Sequence, residues 1–214
     1  QEPVTEPRAL AGEDSRAKFG LADGQLAVGI TARIQPHRRF DLLWSVVDYV
    51  RKEIPAVRFV LLGRGNDQDM SELVLEPIRA ANLTGNVILP GYQKGASYEE
   101  ALRALDAFLF LVPGSDGTCR AVCDAMAFGL PVVSTRRGIL PELLAERRRG
   151  EVPGYAVEEA VASLGDALIG LLRDDERRAA CGSAALRRTQ IEMNPRAAAE
   201  RTADLYAQLL AGRL

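Results

Sequence analysis

Histidine is almost missing from this sequence: His37 is the only one in 214 residues. Three cysteines, Cys119, Cys123 and Cys181, stand beside it. That set is too poor for a zinc site, which draws four ligands from such side chains. An odd cysteine count without secreted-scaffold spacing favours a reducing, cytoplasmic location. Long apolar runs are lacking as well. No stretch of about 18 apolar residues occurs, so none reads as a membrane-spanning helix. Charge of one sign is not in excess: 27 Lys and Arg face 29 Asp and Glu, a net charge of −2. That balance argues against nucleic acid as a partner. The run Arg147-Arg148-Arg149 is flanked by Glu146 and Glu151 and reads as a solvated loop. No signal peptide is visible. The first residue is Gln1, so the chain is expected to be part of something longer.

Hydrophobic residues make up 47% and charged residues 26%, an ordinary globular composition. Residues 1–25 are polar and punctuated by Pro3, Pro7, Gly12, Gly20 and Gly24. They are expected to form a linker, with a short helix in "EDSRAKFGL". From Leu26 onward a rhythm begins. Short apolar runs predict strands over 26–32, 57–63, 86–91, 107–112 and 131–135, with "YAV" as a sixth. Helical spacing predicts helices between them, the first over "RFDLLWSVVDYVRKEI" and closed by Pro55. A second helix is expected from Asp69 to Ala81, others over "SYEEALRALD" and after residue 117, and three close the chain. Strands apolar throughout are covered on both faces. The expected fold is therefore α/β: a Rossmann-like parallel sheet of about six strands, helices on both faces, over 26–214. In such sheets ligands bind beyond the carboxyl ends of the strands, which directs attention to loops 32–39, 63–69, 91–97, 112–118 and 135–139.

Those loops carry suggestive chemistry. Arg33, Arg38 and Arg39 follow the first strand, and a guanidinium donates in pairs to phosphate oxygens. His37 beside them reads as a turn residue. Gly63 and Gly65 in "GRGNDQD" allow close backbone approach. The D-x-D of Asp67 and Asp69 resembles a metal motif of sugar transferases, but it reads as a helix cap. Asp116 and Asp124 lie eight positions apart in "SDGTCRAVCDAMAFGLPVVST". Along a helix that is about 12 Å. Glycosidase carboxyl pairs need about 5 Å for retention and less than about 10 Å for inversion. The spacing is also too long for one metal ion. It suits acids gripping two ends of an extended ligand, whose anionic middle rests on backbone N–H groups of Gly117, Thr118 and Cys119. Cys119 and Cys123 sit i, i+4 rather than C-x-x-C and read as packing. Met126, Phe128 and Trp44 read as core.

Together these pieces resemble the group 1 glycosyltransferases, glycosyltransferase family 4, of GT-B architecture. The likeness runs from about Leu26 to Tyr206. It rests on "DGTCRAVCDAMAFGLPVVSTRRGILPEL", where Ala125-Met126-Ala127, Gly129-Leu130-Pro131-Val132, Gly138 and Pro141-Glu142 match the family signature. "ARIQPHRRFDLL" is similar to its phosphate loop, with Arg33 on the arginine and Arg38 on the lysine. Both signature glutamates are aspartates here, and Arg39 stands where the family has glycine. The resemblance implies the C-terminal, donor-binding half of a retaining enzyme, joined by residues 1–25 to an N-terminal acceptor-binding half.

On that reading Arg33 and Arg38 face the diphosphate of a UDP-, GDP- or ADP-sugar. Asp124 holds the ribose, Asp116 and Gly117 hold the donor sugar, and the base lies near Gly91 and Tyr92. Asp116, Arg33 and Arg38 are the catalytic candidates. Gly65, Gly91, Tyr92, Gly117, Thr118, Cys119 and Asp124 are the donor-binding candidates. No metal or other cofactor is expected, and peripheral membrane association of the full-length protein stays open. Two other readings remain: a nucleotide-sugar epimerase or phosphorylase-like enzyme, and a non-catalytic nucleotide-binding or interaction domain.

Overall fold

The computed structural model of the chain describes residues 13–111 and 119–211. Six strands form one sheet: β1 (Ala27–Arg33), β2 (Arg58–Arg64), β3 (Val87–Gly91), β4 (Ala107–Phe110), β5 (Val132–Thr135) and β6 (Gly154–Val157). All pair in parallel in the order β3-β2-β1-β4-β5-β6. This is the doubly wound Rossmann order, and its switch point lies between β1 and β4. Each strand falls within a residue or two of the apolar run that predicts it. The edge strand β3 contains Pro90, which has no N–H to give and belongs at an edge.

Side chains alternate across the sheet with period two. Val28, Ile30, Phe59, Leu61, Leu109 and Val133 enter a core with α2 (Phe40–Glu53) and α8 (Val161–Arg173). Val60, Leu62, Phe108, Phe110 and Val132 enter another, with α5 (Ala96–Arg103) and α6 (Arg120–Ala127). The remaining helices are α1 (Glu13–Lys18), α3 (Asp67–Met70), α4 (Glu76–Ala80), α7 (Leu140–Leu144), α9 (Asp175–Glu192) and α10 (Pro195–Leu210). Gly129 ends α6 with φ 71°, the left-handed conformation a glycine adopts without Cβ strain.

Three expectations need correction. The linker expected over residues 1–25 does contain its expected short helix, α1, but from there on it packs onto the folded body. Phe19 and Leu21 are buried, and Arg16 donates to the Ala104 carbonyl at 2.8 Å and to Asp106 at 3.3 Å. Polarity and glycines mask two apolar anchors there. Asp106, expected in a helix, lies beyond the end of α5. Its buried carboxylate accepts from the Ala27 N–H at 2.8 Å and so holds the start of β1. The cap of the helical stretch after β2 is Asn66, not Asp67 or Asp69; its side chain accepts from the Asp69 N–H at 2.7 Å.

That stretch is also not a plain α-helix. A π turn over Ser71–Leu75 separates α3 from α4. Pro77 is the cause on the sequence level, because it lacks the N–H that an α-helix would direct at the Leu73 carbonyl. The Trp44 indole N–H donates to that carbonyl at 2.6 Å. Trp44 is buried as expected, but its polar end has this second task.

Candidate functional site

A cleft of about 750 Å³ opens at the carboxyl ends of β1, β2 and β4, beside the switch point. β1 contributes Thr31, Ala32 and Arg33, and the turn after it contributes Arg38. β2 contributes Leu62, Gly63 and Arg64. The loop after β3 brings Tyr92, Gln93, Lys94 and Gly95, and α5 brings Tyr98. The first two turns of α6 bring Arg120, Ala121 and Asp124. Five cations thus line the cleft, against Asp124 as the one carboxylate among its lining residues.

The register explains how two of the cations meet. Arg33 and Arg64 are directly paired across β1 and β2. Like charges in that position repel and destabilise a sheet unless an anion lies between them. None of Arg33, Arg64, Lys94 and Arg120 has an ion-pair partner among the described residues. Arg39, one residue past Arg38, is different. It pairs with Asp41 at 3.1 Å and with Glu159, and it caps α2 in the left-handed conformation, φ 56°. The "RR" doublet therefore divides, Arg38 toward the cleft and Arg39 into a structural pair. His37 lies in the 3₁₀ turn Pro36–Arg38, exposed, as a turn residue would be.

Asp124 is half-buried on α6. Burial pushes its carboxyl up, opposed by the positive charge of Arg120. Tyr98 is half-buried opposite. Burial raises its phenol, the Thr31 hydroxyl pulls it back, and the Asp124 charge adds to the rise. A carboxylate partly stripped of water, next to cations and hydroxyls, accepts strongly from a ligand hydroxyl.

Other predicted residues are placed differently. Tyr92 lines the cleft and is 56% exposed. Gly91 precedes it with φ 78° and is not among the lining residues. Gly65 does not line the cleft either. A Cβ there would meet Ile34 at 2.8 Å, so the glycine serves packing against the end of β1. Cys119 is fully buried and sits just before α6 in the left-handed conformation, φ 44°. Helix α6, expected to start after residue 117, begins at Arg120. Asp116, Gly117 and Thr118 lie outside the described residues.

Burial raises the Cys123 thiol, and the adjacent Asp124 charge raises it further, which keeps it protonated and unsuited to redox exchange. Among the described residues no cluster of His, Cys, Asp and Glu could hold a metal ion. No helix among them is long and apolar enough to cross a membrane.

Arg64, Lys94, Tyr98 and Arg120 were not singled out from sequence. A signal existed for two of them, since Arg64 and Lys94 fall in loops 63–69 and 91–97. A lone cation in a loop says little until the sheet order sets those loops side by side.

The sequence model of the family described as "Glycosyl transferases group 1" matches residues 12–188. The chain belongs to this family. A curated relative, the D-inositol 3-phosphate glycosyltransferase of Segniliparus rotundus, is 30% identical over 173 residues, 79% of this chain and 37% of that protein. The chain thus spans little more than a third of that group 1 relative. The crystal structure of the C-terminal domain of the Francisella tularensis group 1 family protein LpcC is similar at a TM-score of 0.68. It is 22% identical, with 79% of this chain and 87% of that one covered. Anabaena HepE, crystallised with UDP, matches at a TM-score of 0.79 and 20% identity, over 91% of this chain and 52% of that one. The fold expected from the resemblance, one Rossmann-like half of a GT-B group 1 enzyme, is the fold found.

Proposed function

We propose that this chain is the donor-binding half of a retaining glycosyltransferase. It holds a UDP-, GDP- or ADP-linked sugar, and the acceptor is bound by a domain outside these residues. The observation that carries this reading is the cationic cleft beside the β1–β4 switch point, lined by Arg33, Arg38 and the half-buried Asp124. Arg33 and Arg38 take the diphosphate. When the bond from sugar carbon to phosphate oxygen breaks, the electron pair stays on the diphosphate, and the two guanidinium groups stabilise that charge in place of a metal ion. Asp124 accepts from the ribose hydroxyls.

Asp116 and Gly117 are assigned to the donor sugar. The segment Gly117-Thr118-Cys119 is assigned to the anion and the Gly91–Tyr92 segment to the base. Gly65 is assigned a supporting place, packed against Ile34 at the end of β1. The UDP bound in HepE, on a similar fold, supports the ligand class. We place the whole protein in the cytoplasm.

The test is calorimetric titration of the purified chain with UDP-, GDP- and ADP-sugars. Saturable binding of at least one, weakened about tenfold or more by Arg33→Ala and by Asp124→Asn, supports the reading, since each removes a charge-assisted contact worth roughly 1.5–3 kcal/mol. Absence of heat with every donor overturns it in favour of an interaction module. With donor and candidate acceptors present, the chain alone is expected to transfer nothing.

A further inference from the structure

The cleft contains a feature that the diphosphate does not use. Arg64 leaves β2 beside Arg33, but its guanidinium turns to the β3 side and lies 4.6 Å from the centre of the Tyr92 ring. Tyr92 is the one exposed aromatic among the cleft's lining residues; Tyr98 is half-buried and Phe110 buried. Stacking on Tyr92 fixes a group that is otherwise among the most mobile of side chains. It leaves the N–H edge of the guanidinium free, and no acid among the described residues claims it. The backbone beneath is held equally firmly. Ile34 donates to the Arg64 carbonyl at 2.9 Å, and a Cβ on Gly63 would strike the Ala32 carbonyl oxygen at 2.1 Å. An immobilised fork of donors beside a flat ring is suited to a planar group with acceptors on its edge.

Resting on the donor-binding reading above, we infer that Arg64, stacked on Tyr92, reads the base of the nucleotide and selects one bearing a ring carbonyl. Guanine offers two adjacent acceptors to such a fork, and uracil offers a carbonyl oxygen. Adenine sets an amino group where the carbonyl would be. Two donors then face each other, and both lose their water without gaining a partner. Discrimination of this kind is worth about tenfold or more in affinity.

The experiment measures dissociation constants of the purified chain for GDP, UDP and ADP, in wild type and in Arg64→Ala, Arg64→Lys and Tyr92→Leu. The inference expects wild type to bind GDP or UDP at least about tenfold more tightly than ADP. Arg64→Ala brings that ratio within about twofold by lowering GDP or UDP affinity more than ADP affinity, and Arg64→Lys fails to restore it, because a point charge lacks the planar fork. Tyr92→Leu lowers the ratio in the same direction. The GDP and UDP arms then say which carbonyl base is preferred. If Arg64→Ala weakens all three nucleotides alike and Arg64→Lys restores them, Arg64 is a phosphate contact and the inference is overturned. Wild type binding all three equally overturns it too, while leaving the donor-binding reading intact. No binding of any of the three removes both.

Discussion

At the scale of single residues, the proposed donor site would trade fold stability for ligand binding. Asp124 shows the trade through its titration. Burial holds its folded pKa above the ordinary 3.8 of an aspartate. Below that ordinary value both states are protonated and nothing is lost. As pH rises, the unfolded chain ionises first, and stability falls until the folded carboxyl also ionises. Asp124→Asn removes this penalty. Its melting temperature is therefore expected to match wild type near about pH 3 and to exceed it near about pH 7, while nucleotide affinity falls. Thermal melts across that range check the sign, and a gap that shrinks with rising pH would contradict it. Arg33 makes the same trade by another route, being set beside Arg64 with no acid between them. Arg33→Ala relieves that repulsion. Its melting temperature should be unchanged or higher, even as diphosphate binding weakens. The charge pattern of Arg33 and Arg38 was legible in the sequence. The place of Arg64, Lys94, Arg120 and Tyr98 in the cleft was not, because a residue joins a cleft through neighbours that chain order does not reveal.

At the scale of elements, single groups decide packing. Pro77 interrupts a helix, a π turn takes up the break, and the Trp44 indole supplies a donor to the Leu73 carbonyl. Trp44→Phe keeps a ring but loses that donor. A cost of about 1–3 kcal/mol in urea unfolding is expected, the larger part if the carbonyl is left without a partner. Two glycines inside helices should behave in opposite ways. A Cβ on Gly182 in α9 would lie 2.3 Å from the Gly129 carbonyl oxygen, a backbone atom that cannot swing aside. Gly182→Ala is therefore expected to cost about 1–3 kcal/mol. A Cβ on Gly170 in α8 meets only the tip of Arg177 at 3.4 Å. Gly170→Ala should be neutral or stabilise by up to about 1 kcal/mol, through the lower entropy of the unfolded chain and better helix propensity. Chemical denaturation of the pair separates the two cases. Neither difference could be read from sequence, where both are simply glycine among helix formers.

At the scale of the whole molecule, a net charge of −2 conceals a strongly uneven distribution. Many arginines are spoken for by acids, as in Arg51 with Asp48, Arg173 with Glu53 and Arg196 with Glu200. Among the described residues, Arg33, Arg64, Lys94 and Arg120 have no such acid, and all four line the cleft. Nucleotide diphosphate binding should therefore weaken as salt rises. Screening acts over about 10 Å at 0.1 M ionic strength, the range over which these charges sum. Titrations at low and high salt check this, and an affinity indifferent to salt would mean that the cleft cations do not face the ligand. The near-neutral total gave no hint of this local positive field.

The sequence by itself determined the class of fold, because strands buried on both faces must be apolar throughout and their covering helices must show a 3.6 spacing. It also determined the family, because the signature spans contiguous residues. Only the tertiary structure decided which of 24 scattered arginines act together. Crossover connections set β2 beside β1 and β4 on the other side, so residues far apart in the chain become neighbours at one end of the sheet. A cation gains its meaning there from what stands within a few ångströms, and that distance is set by topology rather than by order along the chain.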